Sequence, residues 1–424
     1  MNFTARTTRF VASQGLRSIS SSGKASTSRI LDHEVFVVGM ARTPVGTFGG
    51  ALSGETAPRL GAHCIKTALE RSALDSNLIE EAFMGNVVSA NIGQAPTRQA
   101  VIYSGLHLDV PSTTINKVCA SGMKALMMAS MSISSGYRNA CIAGGMESMS
   151  NIPYYLPNAR TGYRMGNNTV VDGLVNDGLW DIYNNQHMGV CGEICADKYN
   201  ISRQEQDDFA IGSYEKAASA WEKGLFEEVA PYTIAGKRGK PDTIVSVDEE
   251  FTNIKMDKIG TLRAAFKKDG TITAANASTI NDGATAMVTV SGKMVKEQGL
   301  KPLFKILGYG DAALDPVEFT TAPATAVPRA LKMAGLSLKD VDYHEINEAF
   351  AVVALVNAKL MDLDLSRVNV QGGAIALGHP IGSSGARIIT TLHSVLKAND
   401  ATIGCASICN GGGGASAIII ERMN

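Results

Sequence analysis

Cys119 lies in the run Asn116-Lys-Val-Cys119-Ala-Ser-Gly122-Met. Ser112 to Ile115 reads as a strand, and Met123, Leu126, Met127 and Met131 mark a helix that follows. That spacing predicts Cys119 at a helix N-terminus, where free N–H groups and the dipole favour a thiolate. The small residues after it clear space around sulfur, as a nucleophile needs; a buried structural cysteine is the competing reading. His379, in Gly372-Gly-Ala-Ile-Ala-Leu-Gly378-His379-Pro380-Ile-Gly382-Ser-Ser-Gly385, is one imidazole on a glycine-rich loop before a helix near Ser383. It is suited to serve as base to a facing thiol. Cys409 precedes Gly411-Gly-Gly-Gly414, a turn whose bare N–H groups can receive an oxyanion. Asn347, in His344-Glu-Ile-Asn347-Glu348-Ala-Phe350, could fix a water or an oxyanion with Glu348 behind it. Either residue could instead cap a helix starting at Ala349. One thiol can carry an acyl group while the second moves a proton. That suits acyl transfer or carbon–carbon bond formation, whereas a hydrolase needs one nucleophile and water. Cys191 with Cys195 and Cys405 with Cys409 share a C-x3-C spacing, but no partner pair completes a zinc site. Dinucleotide, Walker A, G-x-S-x-G and H-E-x-x-H motifs are absent.

These residues sit on a repeated framework. Ala68 to Asn86 aligns without gaps with Ala330 to Glu348 at an offset of 262, each a helix, a break and a strand. Val35–Val38 answers Leu303–Ile306, Cys119-Ala-Ser-Gly122 answers Gly382-Ser-Ser-Gly385, and Gly144-Gly145 answers Gly411-Gly412. Gly85 matches Asn347, so only the second copy carries polar groups there. Short strands alternating with helices read as parallel strands with crossovers. Two α/β halves follow, 32–149 (completed by about 276–299) and 300–424, whose pairing would bring the Cys119 and His379 loops face to face. The unrepeated insert, 150–275, holds a capping box at Ser202-Arg-Gln-Glu205 and a late basic cluster: Lys237, Arg238, Lys240, Lys255, Lys258, Arg263, Lys267 and Lys268. The cluster fits an anionic ligand or a solvated loop equally.

The 424 residues exceed one ordinary single-core domain, and no uncharged apolar run reaches a membrane span. A net charge of −1 excludes a global basic field for nucleic acid. Charged residues are only 19%, which suggests surface covered by other subunits, and the 43 glycines suggest bare backbone approaching something closely. Residues 1–31 carry Arg6, Arg9, Arg17, Lys24 and Arg29 with no acid; taking that +5 from −1 leaves −6 for the rest. Rich in Arg and Ser, without an apolar signal core, this segment reads as a mitochondrial transit peptide or a basic tail.

Val118-Cys119-Ala-Ser-Gly122, Asn347-Glu-Ala-Phe350, Gly378-His379-Pro380, Cys409-Asn-Gly-Gly-Gly413 and Gly144-Gly-Met-Glu-Ser148 together resemble the thiolase family from about Val35 to the C-terminus. The resemblance implies two βαβαβαββ halves in an α/β/α/β/α layering, with a loop domain above them. It implies that Cys119, activated by His379, takes an acetyl group from acetyl-CoA. Cys409 would deprotonate a second acetyl-CoA, whose carbanion gives acetoacetyl-CoA and CoA. The oxyanion pockets would be His379 with an Asn347-held water, and the N–H groups of Cys119 and Gly411. His187 and Met188, with Phe319 and Phe350, would line the acyl pocket; Tyr214, Lys258 and Ser278 would contact CoA. Within the family the chain is most similar to the potassium-activated mitochondrial acetoacetyl-CoA thiolases of ketone-body and isoleucine metabolism. That implies a matrix location, a homotetramer and potassium ligands at Tyr214, Ala274, Ala275, Ala277 and Ile375. The alternative within the family is a broader-chain 3-ketoacyl-CoA thiolase. Phe319-Thr320 departs from the Phe-Pro of that mitochondrial group, and Ile375 replaces a valine.

Overall fold

The computed structural model describes residues 30–236 and 239–423. The transit-peptide reading of 1–31 therefore lies almost wholly outside the described residues, as do Lys237 and Arg238 of the basic cluster.

The main sheet has ten strands. In chain order we label them β1 (Val35–Arg42), β2 (Gly46–Thr47), β3 (Glu81–Gly85), β4 (Ser112–Ile115), β5 (Ala140–Ser148), β6 (Asn281–Ser291), β7 (Phe304–Ala313), β8 (Tyr343–Ile346), β9 (Ile403–Asn410) and β10 (Gly414–Arg422). They run β8-β9-β10-β7-β1-β6-β5-β3-β4, with β2 on β6. The order is palindromic about β1 and β7, the two copies of one repeated strand. These pair antiparallel, Val35 opposite Ile306 and Val37 opposite Phe304, and so form the seam of the duplication.

Two sequence expectations change. Only β3 with β4, β3 with β5, and β8 with β9 are parallel; the pairs β1–β6, β5–β6, β7–β10 and β9–β10 are antiparallel. The link from β9 to β10 is a tight turn at 411–413, too short for a crossover, so the sheet is mixed. The Gly144–Gly411 match also fails. Met84 faces Gly144 just as Ile346 faces Ser407, so Gly144 lies inside β5 and corresponds to Ser407.

The helices are α1 (Ala57–Ser72), α2 (Ser121–Ser134), α3 (Met188–Tyr199), α4 (Arg203–Glu222), α5 (Pro323–Ala334), α6 (Ala351–Met361) and α7 (Ile381–Ala398). The central layer is α2 and α7. Their Met123, Leu126, Ile388 and Leu392 share one buried cluster with Phe83 and Cys141 from one wing of the sheet and Ile408 and Ile418 from the other. Helix α7 is buried on every side because it lies between the two wings of the sheet, and Ile381 through Leu396 are all buried, polar Arg387, Thr390 and Thr391 included. On the outer faces, α1 covers β1 and β6, and α5 covers β7 and β10. The α/β/α/β/α layering is therefore present.

Much of the glycine content serves this crossing. A Cβ on Gly145 would stand 2.0 Å from the Gly382 carbonyl oxygen, one on Gly385 2.6 Å from the Met123 nitrogen, and one on Gly122 2.8 Å from the Ala386 nitrogen. By contrast, Gly411 has its nearest such neighbour at 3.6 Å and Gly412 has open space. Bare backbone is thus demanded where the halves meet, beneath the Cys119 and His379 loops, and also at Gly413, where a Cβ would stand 2.3 Å from the Leu314 carbonyl oxygen.

The insert is fixed to the first half by a buried charge cluster. Arg42 Nη1 and Nη2 donate to Asp248 at 2.7 and 3.0 Å, and Nε donates to Glu228 at 3.2 Å. A pair enclosed this way contributes little net stability, but breaking it leaves an unpaired charge in the interior. As expected, α4 begins with the reciprocal Ser202–Glu205 capping box.

Candidate active site

Cys119 is carried by a strained turn between β4 and α2. Val118 holds φ at +47°, a left-handed conformation costly for a β-branched residue, of the order of 1–3 kcal/mol. The turn is tied by Ser121, whose Oγ accepts from Lys117 N at 2.9 Å and donates to the Val118 carbonyl at 2.5 Å. The result keeps Cys119 partly exposed just before the helix, with its thiol within reach of the backbone N–H groups of Cys119 and Gly411. These are the two donors the sequence assigns to one oxyanion pocket.

The expected thiolate is absent from the free site. Burial pushes the Cys119 thiol up to about 12, and the Glu147 charge adds to the rise, outweighing those two N–H groups. Cys409 is fully buried at the end of β9, and its thiol is also raised, by burial first and then by the neighbouring Cys119 charge. The two sulfurs are thus brought into one electrostatic neighbourhood from chain positions far apart.

His379 is fixed at both ends. Its backbone N–H donates to Asn281 Oδ1 at 2.7 Å, and its Nδ1 lies 2.6 Å from Ser384 Oγ. Ser384 commits its single proton to the Pro380 carbonyl at 2.9 Å, so it can only accept from the imidazole. Nδ1 therefore carries the ring proton and Nε2 is left as the bare acceptor. Nε2 is buried and has no protein partner among the described residues. Burial, reinforced by Arg387, pulls the imidazole down to about 3, so it rests neutral. The free site thus holds a neutral thiol and a neutral base, poised for proton transfer during attack.

Asn347 follows β8, its N–H donating to the Ser407 carbonyl at 2.9 Å, which sets it beside the Cys409 end of β9. Both its amide oxygen and its nitrogen are buried without a partner. The capping alternative fails: α6 starts at Ala351, not Ala349, and its N-cap is Phe350 without a side-chain bond. Polar atoms buried this way need a bonding partner, so Asn347 and the His379 Nε2 fit an acceptor, a donor and a water or substrate oxygen. Glu348 does stand behind Asn347. It accepts from Ser213 Oγ and Asn369 Nδ2, both at 2.8 Å, and from Ile375 N at 3.1 Å.

The acyl-pocket residues converge: Met188, Phe319, Phe350 and Cys409 belong to one buried cluster. His187 caps α3, its Nδ1 accepting from Gly189 N at 3.0 Å, so its proton is on Nε2. Its ring stacks on Phe266 at 4.7 Å, and Phe266 meets Phe350 edge-on at 6.0 Å. Phe266 also lines a cavity of about 490 Å³ together with Ala274, Ala277, Ser278 and Glu250. Of the expected CoA contacts, Ser278 lines this cavity, Lys258 is exposed on a turn outside the lining, and Tyr214 is buried behind it.

Tyr214 instead joins the residues expected around potassium, sharing a buried cluster with Ala275 and Ile375 and donating to the Ala275 carbonyl over a long 3.4 Å. The Glu250 and Glu348 charges both act on it, after burial, to raise its phenol. Carbonyl and phenol oxygens under a negative field fit a hard monovalent cation better than a transition metal. Among the described residues, no cluster of His, Cys, Asp and Glu forms a metal site.

Three contributors were unassigned in the sequence. Asn281 and Ser384 hold His379. Glu147 accepts from Val87 N at 2.9 Å, Asn86 Nδ2 at 2.9 Å and Gly382 N at 3.0 Å, binding the second half's α7 to the first half's loop. Ser384 and Glu147 stand inside motifs already singled out; the partners of Ser384 lie within about one helical turn, whereas those of Glu147 and Asn281 are remote in the chain.

Residues 35–293 match the thiolase N-terminal domain, and residues 300–422 match the thiolase C-terminal domain. Acetyl-CoA acetyltransferase 1 of Arabidopsis thaliana is 55% identical over 92% of this chain and 95% of its own length. The cytosolic acetyl-CoA acetyltransferase ERG10 of Gibberella zeae is 52% identical over 92% of this chain and 98% of its own. Among solved structures, the Acat5 thiolase from Ascaris suum in complex with coenzyme A superposes with a TM-score of 0.87 at 45% identity, covering 92% of this chain and 100% of that one. The Bacillus anthracis acetyl-CoA acetyltransferase does so with a TM-score of 0.90 at 38% identity, covering 92% and 99%. The duplicated fold, the paired cysteines and these likenesses agree: the chain belongs to the thiolase family.

Proposed function

We propose that the protein is an acetyl-CoA C-acetyltransferase, which joins two acetyl-CoA to acetoacetyl-CoA plus CoA through an acetyl-Cys119 intermediate, reversibly. The observation that carries the reading is the bare, buried Nε2 of His379, in a chain whose Asn347 amide is likewise buried without a partner and whose Cys119 and Cys409 are electrostatic neighbours. As Cys119 attacks the first thioester, His379 Nε2 takes and keeps its proton, while Cys409 gives its own proton to the departing CoA sulfur and is left as a thiolate. The Cys119 and Gly411 N–H groups hold the oxyanion. The Cys409 thiolate then takes an α-proton from the second acetyl-CoA, and the enolate oxygen accepts from the protonated His379 Nε2 and from a water on Asn347. The carbanion attacks the acetyl-Cys119 carbonyl, and Cys119 leaves as a thiolate that takes its proton back from His379 as acetoacetyl-CoA is released.

An acetyl-sized pocket is supported by the close wall of Met188, Phe319 and Phe350, which favours short acyl groups over the broader-chain alternative. Flat thiolysis rates up to long 3-ketoacyl-CoA would reverse that choice. Tyr214 and the carbonyls of Ala274, Ala275, Ala277 and Ile375 would hold a potassium ion, which would supply positive charge near Ser278. A mitochondrial matrix location rests on the composition of residues 1–31, and the relatives include a cytosolic protein. A homotetramer is supported by strongly exposed apolar side chains on the insert, among them Tyr154, Met165 and Ile182.

The test is mass spectrometry of the enzyme after mixing with acetyl-CoA. Cys119→Ala should take no acetyl group, while Cys409→Ala should take one and form no acetoacetyl-CoA. An acetylated Cys119→Ala enzyme would overturn the assignment.

A further inference from the structure

A second cavity of about 490 Å³ opens at the far end of α7 from His379. From Ile381, two residues past His379, the helix rises twelve residues, about 18 Å, to His393 in the cavity wall. Its walls are largely apolar, with Met40, Leu303 and Met423 among them, and the volume suits a small ligand.

Four cations line it, Arg71, Lys301, Lys397 and Arg422, against two carboxylates, Glu227 and Glu228. Glu228 is already engaged, by Arg42 at 3.2 Å and by the Ser394 hydroxyl at 2.9 Å. Arg71 gives its guanidinium to the carbonyls of Met40 at 3.1 Å, Glu228 at 2.9 Å and Val229 at 3.0 Å, so its charge is held in place but not neutralised by those partners. Lys397 bonds Glu227 at 2.5 Å in an exposed, readily exchanged pair. Arg422 pairs with the exposed Asp400 at 2.7 Å, which leaves a small positive excess, with Lys301 in no ion pair among the described residues.

His393 in the wall is 7% exposed, and its Nδ1 has no partner among the described residues. Its ring is held against Phe304 at 5.7 Å. Burial first, then the charges of Lys397 and Arg422, keep it neutral, down to about 4, with the Leu303 backbone carbonyl engaging its ring N–H. Nδ1 is then a buried lone pair that asks for a donor, while the rim asks for a negative charge.

We propose that this cavity is a second ligand site, separate from the thioester site, which takes a small hydroxy-carboxylate with an apolar body: hydroxyl to His393 Nδ1, carboxylate to the Lys301, Lys397 and Arg422 rim. None of these residues belongs to the machinery around Cys119.

The experiment is calorimetric titration of the intact chain with 2-hydroxy-4-methylpentanoate, in saturating CoA so that the thioester site is filled. One saturable site is expected, with 4-methylpentanoate binding about fivefold more weakly for want of the hydroxyl. His393→Leu should erase that preference. Lys301→Glu, at an exposed position that leaves folding and thiolysis intact, should weaken both ligands about fivefold. No saturable binding below about 20 mM, or binding that Lys301→Glu leaves unchanged, would overturn the proposal.

Discussion

Ser384→Ala tests the chemistry most directly, because it removes one oxygen and leaves both thiols and the His379 ring in place. In the native site the 2.6 Å bond from Nδ1 to Ser384 Oγ is what selects the tautomer with a bare Nε2. Ser384 is wholly buried, so no bulk solvent replaces the lost acceptor. Leaving a buried donor unpaired costs about 1–3 kcal/mol. The ring escapes that cost by moving its proton to Nε2, which disables it as a base. At about 1.4 kcal/mol per tenfold, the competent population falls roughly 5- to 150-fold. The expected result is a fall of that size in the rate of enzyme acetylation, read by rapid quench, with KM for acetyl-CoA within about twofold. The bond from His379 N–H to Asn281 survives, so the loop stays placed and the melting temperature drops by only a few degrees. An acetylation rate within twofold of native in a folded Ser384→Ala enzyme would refute the tautomer reasoning. A loss confined to KM would do the same.

Two further outcomes follow from the geometry. With the Cys119 thiol raised to about 12 and the imidazole lowered to about 3, the pair is neutral between those values, so Cys119 alkylation by iodoacetamide should climb steadily from pH 6 to pH 9. A plateau at neutral pH would instead mark a preformed thiolate–imidazolium pair. Gly145→Ala places a methyl 2.0 Å from a backbone oxygen of the opposite half, and neither side can yield cheaply. We expect a loss of at least about 3 kcal/mol, seen as a lowered urea midpoint with the m-value retained; a midpoint near native would show that the halves are not in backbone contact there.

The duplication was legible because both copies keep the same helix–break–strand pattern, and the positions after each break do become β3 and β8 in matching places. The capping box at Ser202 was legible for the same local reason: its two partners lie three residues apart. Strand direction was not. Alternating strands and helices look alike whether β9 returns through a crossover or folds straight back into β10, and only the register at the Gly411–Gly413 turn distinguishes them.

The candidate chemistry divides along the same line. Residue type and loop context alone marked Cys119, His379, Asn347 and Cys409, since a thiol or an imidazole among glycines has few other uses. Their ionisation depended on enclosure. A helix N-terminus by itself predicts a lowered thiol, yet burial between two halves of the sheet raises it, and desolvation of a charge exceeds what two N–H groups return. The tautomer of His379, by contrast, is set locally by Ser384 and Pro380, while the placement of its loop rests on the distant Asn281. Sequence thus determined which groups could react. The tertiary structure decided their charge, because the burial that shifts a pKa depends on neighbours that are distant along the chain.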